Sequence, residues 1–165
     1  MNYYCTLFDS LYLVRGLSLY RSLIDSKEDF TLYVYCFDDD TYRILDKLQP
    51  EKVVLVSLGE FETSELLQVK KFRTKQEYCW TCSSFVIYHC LKEFDLPEVT
   101  YLDADIYFFN RPSSLLEEFH RTKKSILLTE HRFYPGLSES EKYGKYCVQF
   151  LTFKSDEVGV SALLW

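Results

Sequence analysis

Asp103 and Asp105, two carboxylates one residue apart, stand at the exit of the apolar, β-favouring run Val99-Thr-Tyr-Leu102. Acids at positions i and i+2 of an extended strand project to the same side, which turns Ala104 away between them. Like charges that close repel one another unless a cation neutralises them. Hard oxygen ligands of this kind suit Mg2+ or Mn2+, which share their coordination between carboxylates, water and phosphate oxygens. Such a pair can hold a diphosphate, so a nucleotide-dependent transferase is the first chemistry to expect. Two more acidic positions end apolar runs: Asp9, after residues 3–8, and Asp38-Asp39-Asp40, after residues 30–37. The second of these reads as the cap of a following helix, where acids complement the helix dipole.

The elements that must position these acids alternate in type. Strands are predicted over 3–8, 30–37, 52–57, 99–102, 125–129 and 146–153. Helices are expected over 11–24, 41–48, 78–94, 113–119 and from 156 onward; 59–75 reads as a short helix followed by a loop, and 130–145 as a long loop. Strand–helix alternation in this order predicts an α/β fold with a mostly parallel sheet flanked by helices. In such sheets ligands bind beyond the carboxyl ends of the strands, where strand order reverses. The 165 residues fit one domain, 1–165. The last helix carries Val158, Val160, Leu163, Leu164 and Trp165 with no Gly, Pro or basic last turn. That pattern reads as the N-terminal part of a longer protein truncated at its C-terminus, and an apolar face left open there would favour a homo-oligomer.

Composition excludes several classes. A net charge of −6 argues against nucleic acid, whose binding rests on neutralising phosphates with Lys and Arg. The basic segments 70–75 and 121–124 are local. No run approaches the ~20 apolar residues of a transmembrane segment, and the first residues lack the basic and apolar regions of a signal peptide. The six cysteines are scattered, and Cys79-Trp-Thr-Cys82 has neither the strand–helix context of a redox motif nor a second ligand pair for zinc. They read as reduced thiols in a cytoplasmic protein. His89 lies within an apolar helical stretch and reads as a satisfied core residue.

Three pieces occur in a telling order. Thr6-Leu-Phe-Asp9-Ser-Leu-Tyr12-Leu-Val-Arg-Gly16 comes first, Arg73-Thr-Lys75-Gln-Glu-Tyr-Cys-Trp80 second, and Tyr101-Leu-Asp103-Ala-Asp105 third. In this the chain resembles, over essentially its whole length, the GT-A-fold nucleotide-diphospho-sugar transferases of the glycogenin-like family 8 type. The resemblance implies a Rossmann-like GT-A fold and metal-dependent transfer of a sugar, from a nucleotide-sugar donor such as a UDP-sugar, to a hydroxyl acceptor. It implies that Thr6, Phe8, Asp9 and Tyr12 contribute to the nucleotide pocket and that Arg73 or Lys75 contacts the diphosphate or sugar. It further implies that Asp103 faces ribose and metal, and that Asp105 ligates the metal, Mn2+ or Mg2+. The chain departs from the family in reading Tyr146-Cys147-Val-Gln149 where an Asn followed by a small residue is usual, and the family's third metal ligand, a His in a basic segment, would lie beyond Trp165. Two alternatives accompany this reading. One is a nucleotide-binding module without activity; the other is a haloacid-dehalogenase-like phosphatase, whose D-x-D acid attacks phosphate covalently.

Overall fold

The computed structural model describes residues 1–134, 136, 141–142 and 144–165. Strand β1 (Asn2–Phe8) is buried from Tyr4 onward on both faces, as its nearly continuous apolar sequence requires. Helix α1 (Leu13–Asp25) crosses back to β2 (Phe30–Cys36), and α2 (Asp39–Leu48) leads to β3 (Val53–Ser57). Two short helices, α3 (Leu58–Phe61) and α4 (Ser64–Lys70), precede the long α5 (Lys75–Glu93), which delivers the chain to β4 (Glu98–Leu102). Then follow α6 (Ser113–Arg121), β5 (Ile126–Glu130), β6 (Tyr146–Lys154) and α7 (Glu157–Leu164).

The strands form one sheet in the order β3-β2-β1-β4-β6-β5. β3, β2, β1 and β4 are parallel, with Cys5 opposite both Tyr33 and Tyr101. β6 alone runs against its neighbours. β5 and β6 pair antiparallel, with Leu128 opposite Leu151 and Glu130 opposite Tyr146. The mostly parallel α/β sheet flanked by helices is therefore borne out, with one reversed strand.

Side-chain alternation divides the core in two. Cys5, Leu7, Tyr33, Tyr35, Val99 and Tyr101 face α3, α4 and α5. Tyr4, Phe8, Leu32, Val34 and Leu102 face α1, α2 and α6. On the first face His89 sits as expected, its Nδ1 2.9 Å from the buried Tyr35 hydroxyl. Burial also pushes the Cys79 and Cys82 thiols up, Cys82 to about 12, so neither offers a thiolate.

On the second face, Gly16 lets α1 settle onto the end of β1. A Cβ there would lie 2.5 Å from the Phe8 ring, which is itself 5% exposed and has nowhere to go. Gly16→Ala is expected to cost about 1–3 kcal/mol by overpacking and to displace the β1 terminus. Urea unfolding measures the cost.

The segment after Asp105 straps back along α1. Ile106 and Phe108 pack into the α1-side core, and Arg111 Nε donates to the Ser26 carbonyl at 3.3 Å. Tyr107 and Phe109 stay exposed, their ring centroids 5.1 Å apart.

Candidate active site

Strand order runs 3-2-1 in one direction and continues through β4 in the other, so the reversal falls between β1 and β4. Asp9 leaves β1 and Asp103 leaves β4 at the carboxyl edge of this pair, on either side of the crevice where open α/β sheets take ligands.

Asp9 is held firmly. One carboxylate oxygen accepts from the Leu11 and Tyr12 amides at 3.1 and 3.3 Å, and the other lies 2.5 Å from Lys75 Nζ. The hydrogen bond to Asp9 raises the Lys75 pKa, so the ammonium is secure. Lys75 is the first residue of α5 rather than part of the loop expected there. The helix starts three residues before its predicted beginning because Thr74 and Glu77 form a reciprocal capping box.

Next to Asp9, Asp38 accepts from the Ser10 amide and hydroxyl at 3.0 and 2.7 Å and from the Thr41 amide at 2.8 Å. Asp38 is thus the cap of α2, as read from sequence, and also a clasp on the turn after β1. Burial alone would raise its pKa; the bonds from Thr41 and Ser10 outweigh that and hold the carboxyl well below its usual range. A depressed carboxylate stabilises the fold fully above its unfolded pKa, about 4, and that contribution is lost as pH falls toward the folded value. Asp38→Ala is accordingly expected to cost roughly 1–2 kcal/mol near neutral pH. Its melting temperature should converge on the parent's as the buffer is taken below about pH 4, which scanning calorimetry checks.

Asp103 and Asp105 are not placed by strand alternation. β4 ends at Leu102, the Asp103 amide donates to the Gln149 carbonyl of β6 at 3.0 Å, and a turn closes from the Ile106 amide to the Asp103 carbonyl at 3.2 Å. The Asp103 carboxylate keeps the Tyr101 side of the sheet and is partly buried. Burial pushes its pKa up; a hydrogen bond with Tyr101 opposes this, and the nearby charge of Asp105 adds to it. The two acids are therefore within electrostatic reach of each other, and the turn rather than the pleat brings them there. The Asp105 side chain is half exposed and lies 3.4 Å from Arg15 Nη1 of α1. The Arg15 guanidinium also stands over the Tyr12 ring, 4.7 Å from its centroid.

The structure thus brings Asp9, Tyr12, Lys75, Asp103 and Asp105 to one edge. It does not bring three other expected residues there. Thr6 is fully buried in mid-strand, and Phe8 is consumed by packing beneath Gly16. Arg73 turns back along α5, its guanidinium 2.5 Å from Thr81 Oγ1. Sequence reasoning missed Arg15, which sits at helical spacing from Tyr12, and Ser10, whose partner lies in another strand's loop.

Two carboxylates, one of them open to solvent and already facing a cationic group, match the donor set of a Mg2+ or Mn2+ that completes its shell with water and phosphate. Among the described residues no group of three or more His, Cys, Asp or Glu side chains is placed to bind a metal. A cavity of about 290 Å³ lies elsewhere, between α6 and β5–β6, lined by Leu115, Phe119, Ile126, Leu127 and Phe150. It is apolar and contains none of these acids.

The sheet order, the flanking helices and the acids after β4 define a GT-A glycosyltransferase fold. Solved structures similar to the chain are mouse xyloside xylosyltransferase 1 (TM-score 0.64, 12% identity, 98% of this chain and 71% of that one) and the galactosyltransferase LgtC with donor and acceptor sugar analogues (0.55, 11%, 92% and 57%). A third is the mannosyltransferase PcManGT from Pyrobaculum calidifontis with GDP-Man and Mn2+ (0.53, 12%, 92% and 44%). In sequence the chain is similar to two uncharacterised proteins of Bacillus subtilis (strain 168). It is 31% identical to YfnF over 170 residues, covering 98% of this chain and 55% of YfnF, and 31% identical to YfnD over 151 residues, covering 90% and 48%. The chain spans about half the length of these curated relatives, and no family model matches it. In this chain the D-x-D follows the fourth strand, whereas the acid of the phosphatase alternative follows the first. No helix among the described residues is long and apolar enough to cross a membrane.

Proposed function

We propose that the chain is the donor-binding part of a metal-dependent glycosyltransferase of the family 8 type, which moves a sugar from a UDP-sugar to a hydroxyl acceptor in the cytoplasm. The observation that carries this reading is the convergence of Asp103 and Asp105 with Asp9, Lys75 and Tyr12 at the β1/β4 reversal. Asp103 and Asp105 would hold the cation, Mn2+ before Mg2+, and Asp103 would also reach the ribose. A divalent cation there supplies Lewis-acid stabilisation of the departing nucleoside diphosphate.

Lys75 is pinned by Asp9 yet its side chain is 59% exposed, so it can offer its remaining protons to the diphosphate. Tyr12, half exposed at the start of α1, offers a ring for the base. Thr6 and Phe8 contribute by fixing the end of β1 from within the core. Arg73 has no part in this arrangement.

Isothermal calorimetry with UDP, in the presence of Mn2+ and again after chelation, tests the reading. Binding that requires Mn2+ supports it; no binding, or binding indifferent to chelation, defeats it.

A further inference from the structure

A single guanidinium touches two residues that the proposed function uses, Asp105 for the metal and Tyr12 for the base. Arg15 Nη1 is 3.4 Å from Asp105 Oδ2, and its Cζ lies 4.7 Å from the centroid of the Tyr12 ring. Both members of the ion pair are more than half exposed, at 57% and 52%. The separation is long for a charge-assisted bond, which favours about 2.7–2.9 Å. Exposed pairs of this kind are easily broken. The pair is nevertheless placed by structure on both sides: Arg15 projects from the first turn of α1, and Asp105 is held by the turn that follows β4.

We propose that Arg15 is the resident counter-cation of Asp105, and that it leaves this carboxylate for the donor's phosphate oxygens when the metal binds. The inference rests on the reading above. A carboxylate that takes up a dication repels a guanidinium a few ångströms away, since like charges at that distance oppose each other even in a high dielectric. Arg15 is anchored one turn along α1 from Tyr12, so its release swings it within the crevice rather than out of it. The same movement uncovers the Tyr12 ring face for a base. Metal and nucleotide binding would then be coupled through one side chain: Arg15 competes with the first ligand and assists the second. Because a guanidinium presents a planar fork of donors, it suits bidentate contact with phosphate better than Lys would.

The test is Mn2+ titration of the full chain followed by electron paramagnetic resonance of the free ion, and UDP titration at saturating Mn2+, on the parent, Arg15→Gln, Asp105→Asn and the double variant. Arg15→Gln should bind Mn2+ alone about two- to fivefold more tightly, the fold-change expected on removing an exposed competing ion pair. It should bind UDP about tenfold more weakly, as loss of one charge-assisted phosphate contact implies. In the Asp105→Asn background the gain in Mn2+ affinity from Arg15→Gln should disappear, a coupling that a merely structural role would not produce. Mn2+ affinity that is unchanged or weaker in Arg15→Gln, while still dependent on Asp105, overturns this inference alone. Absence of Asp105-dependent Mn2+ binding in the parent overturns it together with the function from which it follows.

Discussion

Asp105→Ala is expected to weaken Mn2+-dependent UDP binding by about 100-fold while leaving the fold intact. A carboxylate and a dication about 2.2 Å apart attract by roughly 4 kcal/mol even at the dielectric of water. Part of that is returned when each sheds its hydration, and a net loss near 3 kcal/mol is a factor of about 100. The fold should not suffer. Asp105 is half exposed and makes a long ion pair with Arg15 at 3.4 Å. Circular dichroism and melting temperature should match the parent, so lost binding can be assigned to the ligand. Retained binding in Asp105→Ala would mean that the nucleotide is held without the acids.

The largest effect on stability is expected from Gly159→Ala in α7. A Cβ at this position would lie 2.1 Å from the Lys154 carbonyl oxygen and 3.1 Å from its carbon. Both atoms are backbone at the end of β6, so no rotamer change relieves the clash. Nor can the helix easily retreat, because the Gly159 amide is bound to Asp156 Oδ1 at 2.9 Å in the cap of the same helix. The change should cost about 3 kcal/mol, the upper end of ordinary overpacking. For a chain of this size it should lower the melting temperature by roughly 6–12 °C. Hydrogen exchange would separate global loss from release of α7 alone, and a melting temperature within a degree of the parent would contradict the account.

Much of the fold was legible because the strands are apolar on both faces and the helices are periodic. Asp38 declared itself as a cap by standing before Thr41 and an amphipathic helix, and His89 by its apolar neighbours. α5 begins ahead of its apolar periodicity, which starts at Tyr78, because Lys75, Gln76 and Glu77 face solvent. The Thr74–Glu77 box was there to be read. The two acids after β4 are legible by type and spacing, but their geometry is not. A turn in place of another strand residue depends on where β6 lies, and Gln149 supplies the carbonyl that ends the strand. Arg15 was out of reach for a similar reason: its partner is ninety positions away, and no local pattern announces such a pair.

The placement of β1 has a consequence for how the molecule comes into being. On one side β1 pairs with the nearby β2; on the other, Tyr4 must find Thr100. Contacts closing so long a loop form late, since chain entropy is surrendered before they reward it. The β1-β2-β3 half can assemble while most of the polypeptide is still being synthesised. The two walls of the crevice are therefore expected to meet late in folding, after the β1-β2-β3 half has formed.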